Sequence, residues 1–358
     1  MQFSGIDPVL AANKKLGLKI NSMNINPILK MVGIGEASPI ALNYAIQMPV
    51  CVQAPRIVLI GCGGTGSHLL PNVLQYCWAK HAKTGEAFPE IVLCDGDRVE
   101  RKNLMRQRFT SVDLEENKAA ALARRYSGVF GVKIKVRDEY LKTSADLSSL
   151  APPDRPNIII GAVDNHRARA IIWQYMYAAS QYYDVLWVDA GNEGWHGQVV
   201  LGTRVQSSTR LAHWTNAALG EKINGVDLPT FFDEFPTEFM KIGATPSVPQ
   251  NECAIMVEQD PQTIQANMMS AFCASSLVIQ ALSGTIRTSK LSFDAVSGNT
   301  AATFLTKMNI GMGLLRIKES RTQIRNFLSG LSMDSGKADD FLEDEFDFLQ
   351  HVDSYVTR

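Results

Sequence analysis

The chain has no Cys-x-x-Cys pair. Its six cysteines, Cys51, Cys62, Cys77, Cys94, Cys253 and Cys273, are scattered, so a cysteine-based zinc site is not expected. Their even number does not imply disulfides in a large chain read as intracellular, and most are expected to be small buried hydrophobes. An excess of one charge is also missing. The 35 Lys and Arg face 36 Asp and Glu, which argues against a basic coat for nucleic acid. No apolar run approaches the roughly 18–20 residues that cross a bilayer. The first residues lack the basic-then-apolar order of a signal peptide. A soluble cytoplasmic protein with no membrane partner is therefore expected. No fixed-period repeat or long low-complexity tract is visible.

What is present is material for a core. Of 358 residues, 46% are apolar, enough for one large or two modest domains. Residues 1–54 read as a leader of short helices and loops, broken by Pro8, Pro27, Pro39 and Pro49. From Arg56 the texture changes. Ile57-Val58-Leu59-Ile60 is a continuous aliphatic run ending at Gly61, which predicts a strand buried on both faces. Further short runs at Ile91–Cys94, Val132–Val136, Ile158–Ile160, Val185–Asp189 and Gln198–Leu201 alternate with helical patterns near 65–80, 118–122 and 167–182. This alternation predicts an α/β fold, a doubly wound and mostly parallel Rossmann-like sheet with helices on both faces.

The main segment is expected to run over 55–318. Within it, 205–250 lack a clear period and read as an irregular crossover loop or insertion. A helix is expected near 259–282, with strands near 291–296 and 302–308. The tail at 319–358 differs in character, with eight acidic residues between Asp334 and Asp353 against Lys337 alone. Phe341, Leu342, Phe348, Leu349 and Val352 fall at helical spacing, which suits an acidic amphipathic helix docked on its own domain or on a partner.

Gly61-Cys62-Gly63-Gly64-Thr65-Gly66 follows the first buried strand and opens a helix. Glycines allow a tight turn and close approach of a phosphate, and the unpaired N–H groups of a helix start favour an anion. Gly61, Gly63, Gly64 and Gly66 are therefore candidate nucleotide-binding positions. The turn alone does not distinguish NAD, FAD and ATP. Asp95 follows the second strand directly, where a carboxylate can accept from both hydroxyls of an unphosphorylated ribose.

Asn103-Leu104-Met105-Arg106-Gln107 comes next. Together with the glycine turn, this block resembles the ThiF/MoeB/HesA superfamily, whose eukaryotic relatives are the ubiquitin-activating enzymes. Lys118, Asp164-Asn165 and the hairpin from Asp189 to Gly197-Gln198 follow in the family's order. The resemblance is strong over about 55–205 and weaker to about 285. It implies ATP-dependent adenylation of the C-terminal glycine of a small ubiquitin-like or sulfur-carrier protein. Arg106 and Lys118 would meet the phosphates, Asp164 would hold Mg²⁺, Asp95 the ribose, and Asn103 and Gln107 would complete the phosphate pocket. The attacking carboxylate is already a nucleophile, so no general base is needed. The barrier is electrostatic and is lowered by cations aimed at the phosphates.

The resemblance also implies a homodimer. Some family members pass the acyl group to a cysteine, and Cys253, after the crossover segment and before a long helix, occupies the matching place. A conjugating-enzyme-like partner would then follow. The chain departs from many family members in lacking zinc cysteines, and its leader has no Arg before Arg56. Two other readings stay open from the sequence: an NAD- or FAD-dependent oxidoreductase, and a non-catalytic pseudo-adenylation scaffold.

Overall fold

A computed structural model describes residues 54–204 apart from 181 and 183, then 227–242 and 263–332, with two-residue strands at 46–47, 214–215 and 222–223. Cys253, most of the leader and the acidic segment beyond 332 lie outside the described residues.

The strands are β1 (Arg56–Ile60), β2 (Glu90–Cys94), β3 (Ile134–Arg137), β4 (Asn157–Gly161), β5 (Val185–Glu193), β6 (His196–Arg204), β7 (Thr288–Asp294) and β8 (Asn299–Phe304). They form one eight-stranded sheet in the order β8-β7-β6-β5-β4-β1-β2-β3. The five strands from β3 to β5 in this order pair in parallel, and β6, β7 and β8 are added antiparallel. The expected doubly wound, mostly parallel sheet is therefore present. The chain leaves β1 toward β2 on one side and returns to β4 on the other, so the strand order reverses at β1. Open α/β sheets place their ligand crevice at such a switch point, outside the carboxyl ends of the strands.

Strand residues alternate between two cores. Ile57 and Leu59 pack in one, Val58 and Ile60 in the other, and Leu186 and Val188 alternate likewise with Val185 and Trp187. Burial of both faces explains the unbroken aliphatic runs. Helices α1 (Gly64–Thr84) and α2 (Lys118–Phe130) cover the first face through Leu69, Leu70 and Leu122. Helices α3 (Ser144–Leu150) and α4 (His166–Ala179) cover the second through Leu147, Ile172 and Trp173.

Inside the stretch read as irregular, two short helices stand on the second face, α5 (Phe231–Glu234) and α6 (Pro236–Met240). A Thr230–Asp233 capping box starts α5, and Pro236 at the first turn starts α6. Helix α7 (Ile264–Leu282) packs against α1 and on β5 and β6, with Thr263 as its cap. The expected strand at 302–308 ends at Phe304. Helix α8 (Lys307–Ser332) begins three residues later and runs through position 318, where the sequence suggested a change of character. Its Ile310 and Leu314 join the first core, and Ile324 and Leu328 the second, which holds it as one helix.

A buried polar network docks α5 and α8 on the sheet. The Arg204 guanidinium donates to Asp233 at 2.6 Å, to the Tyr177 hydroxyl at 2.6 Å, and to the Thr203 and Leu228 carbonyls. Asp233 also accepts from the Thr230 N–H and hydroxyl and from the Ser320 hydroxyl of α8. Arg321 of α8 lies over the same Tyr177 ring. No helix among the described residues is long and apolar enough to cross a membrane.

Candidate functional site

The glycine turn lies in the crevice between β1 and β4. Gly61 has φ +90°, and a Cβ there would come 2.3 Å from the Ala162 carbonyl oxygen on the loop after β4. A Cβ at Gly66 would come 2.0 Å from the Gly61 carbonyl oxygen. Both positions thus exclude a side chain for reasons internal to the turn. Gly63 differs: the nearest group to a Cβ there is the Gln107 amide, at 3.7 Å. No side chain caps the start of α1 and its first turn holds no acid, so its positive end faces the crevice.

Asp95 is 8% exposed at the end of β2. Its carboxylate accepts from the Cys62 N–H at 2.6 Å and the Asp97 N–H at 2.8 Å, tying the glycine turn to the next strand's loop. Burial raises its pKa, against the pull of Lys118. Carboxylate oxygens carry several lone pairs, so hydroxyl donors can still be accepted.

Arg101–Met105 form a 3-10 turn in which the Asn103 side-chain oxygen accepts from the Glu100 N–H at 2.8 Å. Asn103 is buried, and its main-chain carbonyl accepts from Arg106 and Gln107. The Gln107 side-chain oxygen is buried with no hydrogen-bond partner beside the glycine turn. No partner of the Arg106 guanidinium is found among the described residues.

Lys118 opens α2 and is 6% exposed, a rare environment for lysine. Its ammonium meets Asp97 at 2.7 Å. Asn117 caps α2, and its amide bonds to the Asp95 and Asp97 carbonyls, so the loop after β2 and the start of α2 form one unit. Burial opposes ionisation of Asp97, but the Lys118 and Tyr140 hydrogen bonds prevail and hold its pKa below the ordinary value. The Tyr140 hydroxyl donates to Asp97, and the ring covers Gly96, where a Cβ would come 2.6 Å from it. Partial burial, then the hydrogen bond donated to Asp97 and the charges of Asp97, Asp95 and Asp164, raise the Tyr140 pKa.

Asp164 is exposed on the loop after β4, and the adjacent Asn165 caps α4 through the Ala168 N–H at 2.8 Å. No group of three or more His, Cys, Asp or Glu that could hold a metal ion occurs among the described residues. A cation sharing Asp164 with phosphates and water would not need one. The described cysteines are poor nucleophiles: burial pushes the Cys77 and Cys94 thiols up to about 12 and Cys273 to about 11, and Cys62 is raised as well.

The structure therefore gathers the glycine turn, Asp95, Asn103, Gln107 and Lys118 around the carboxyl ends of β1 and β2, with Asp164 at the end of β4. Asp97 and Tyr140 join them and were not singled out by sequence. Asp97 sits two residues after a strand-end carboxylate and reads locally as a turn residue. Its pairing with a lysine across the α2 boundary exists only in three dimensions.

Comparison with curated proteins finds no match. Among solved structures, the chain is similar to E. coli MccB with ATP, at 15% identity and a TM-score of 0.45, covering 70% of this chain and 64% of that one. E. coli MccB with AMPCPP and MccA gives 14% identity and a TM-score of 0.43, with the same coverage. PaaA gives 14% identity and a TM-score of 0.42, covering 85% and 84%. The chain thus spans 64% of the length of these MccB chains. The ThiF family model matches residues 51–312, well over half of the sequence. The protein belongs to the ThiF family, a family of adenylyltransferases.

Proposed function

We propose that the protein uses ATP to adenylate the C-terminal carboxylate of a peptide or small carrier protein, and that this substrate is a ubiquitin-like or sulfur-carrier protein ending in glycine. The observation that carries the proposal is a buried lysine, Lys118, on the same sheet edge as an uncapped glycine-turn helix start. An uncapped helix N-terminus beside a desolvated cation suits a polyphosphate. The open position at Gly63, with the Gln107 amide nitrogen beside it, is compatible with a phosphate, and the unpartnered Gln107 oxygen with a bound water.

In this reading Asp95 holds the ribose, and Arg106 and Lys118 face the phosphates, with Asn103 shaping the turn that presents Arg106. A carboxylate oxygen of the substrate attacks the α-phosphorus. The bond from that phosphorus to the bridging oxygen breaks, and the electron pair leaves with pyrophosphate. Arg106 and Lys118 neutralise the charge that builds up on the leaving oxygens. Asp164 would hold Mg²⁺, which when bound supplies further neutralisation of the phosphates. Lys118 has three donors, so contact with phosphate need not release Asp97.

The product acyl adenylate then reacts with the thiol of Cys253, forming a thioester and releasing AMP, before transfer to a conjugating-enzyme-like acceptor. A cytoplasmic homodimer belongs to the same reading. A nicotinamide or flavin oxidoreductase gives the buried Lys118 no ligand to meet and leaves it as the partner of Asp97 alone.

Pyrophosphate exchange with small proteins ending in glycine tests the proposal. Arg106→Ala and Asp164→Ala are expected to lose exchange by about 100-fold or more. Cys253→Ala is expected to keep exchange and lose any adduct that reductant releases. Full exchange in Asp164→Ala would remove the metal assignment, and a reducible adduct in Cys253→Ala would remove the thioester assignment. A tight complex with a carrier but no AMP formation would identify a scaffold instead.

A further inference from the structure

Asn267 stands in the first turn of α7 and is completely buried. Its side-chain oxygen accepts from the Asn192 amide on the β5–β6 hairpin at 2.9 Å. Its own amide donates to the Arg106 carbonyl at 3.4 Å. It also occupies the space at Gly64, where a Cβ would come within 2.6 Å of it. One carboxamide therefore touches the glycine turn, the arginine block and the hairpin.

The arginine block is held from the other side as well. Ser67, in the first turn of α1, accepts from the Arg108 N–H at 3.0 Å and donates to the Gly64 carbonyl at 3.2 Å. The arginine block is thus held by α1 at Arg108 and by α7 at Arg106, and the Arg106 guanidinium has no partner among the described residues. A buried amide is costly unless its bonds are made, so its place in the core points to a task at that junction.

We propose that Asn267 is a positioning residue for ATP: it fixes the Arg106 main chain against the glycine turn so that the guanidinium meets the phosphates. This rests on the reading of the crevice as an ATP site. Asn267 acts through Arg106 and does not touch the base or ribose. Its effect must therefore depend on the phosphates being present and on Arg106 being intact.

Calorimetric titration with ATP and with adenosine separates these dependences. Asn267→Ala is expected to weaken ATP by about tenfold, the worth of a hydrogen bond of 1–1.5 kcal/mol, with adenosine unchanged. Arg106→Ala is expected to weaken ATP more, and adding Asn267→Ala to it is expected to change little further. Asn192→Ala removes the outer bond that orients Asn267 and is expected to weaken ATP about threefold. It keeps the test available if Asn267→Ala fails to fold, which thermal unfolding would reveal. Equal losses for ATP and adenosine, or independent effects of Asn267 and Arg106, would overturn the proposal. So would unchanged ATP affinity in the folded variants. If the wild-type protein binds adenosine and ATP equally weakly, the ATP-site reading itself falls, and the inference with it.

Discussion

Asp233→Ala is expected to destabilise the protein by about 3–5 kcal/mol, as measured by urea unfolding at neutral pH. The side chains of Arg204 and Asp233 are 2% and 0% exposed. Removing the carboxylate leaves a buried guanidinium facing the more distant and partly exposed Asp227 at 3.9 Å, and it also removes an acceptor for Thr230 and for Ser320 of α8. The loss therefore falls on the docking of α5 and α8 as well as on one ion pair. An exposed pair provides the control. Lys102 and Glu100 are 61% and 58% exposed at their side chains, and Lys102→Ala is expected to cost no more than about 1 kcal/mol. A loss below about 1 kcal/mol for Asp233→Ala would mean that the network does not hold these helices in place.

Gly66→Ala is expected to abolish nucleotide binding, with ATP affinity lowered by about 100-fold or more, because small displacements in a phosphate cradle are heavily penalised. The new Cβ would stand 2.0 Å from the Gly61 carbonyl oxygen. That oxygen belongs to the main chain, and Gly61 is itself at φ +90°, so the turn must open to relieve the clash. Gly63→Ala is the matched comparison. Its Cβ meets only the Gln107 amide at 3.7 Å, so the turn should survive, and any loss of ATP affinity would report on the space a phosphate needs. Calorimetric titration with ATP and thermal unfolding of both variants decide the matter. Wild-type ATP binding by Gly66→Ala would show that the turn is not the cradle.

Much of this site is legible in the sequence because its parts are local. A buried strand, a glycine turn and a helix follow one another without a break from Arg56 to Thr84. Asp95 follows its strand directly, and Arg106 and Gln107 follow their turn. What escapes the sequence is what joins these parts. Asn267 lies 161 positions from Arg106, and a lone asparagine at a helix start reads as a surface residue. Asp97 is separated from Lys118 by a loop that must fold back before they meet. Arg204 precedes a stretch with no readable period and Asp233 lies inside it, and only burial makes their pairing necessary. Helix α8 was legible in principle. Ile310, Leu314, Ile317, Ile324 and Leu328 fall on one face, but Arg316, Lys318 and Arg321 among them suggest a solvated segment.

The register of the parallel strands bears on how such a protein can change length. Ile60 lies opposite both Cys94 and Gly161, so β1, β2 and β4 stop at the same level and release their loops together. Deleting one residue inside β2 would draw Asp95 back by about 3.3 Å and exchange the strand's side chains between the two cores. The same deletion between His81 and Phe88, at the opposite end of the sheet, would leave that level untouched. Insertions and deletions are therefore expected to accumulate at the amino ends of these strands and to be rare within them.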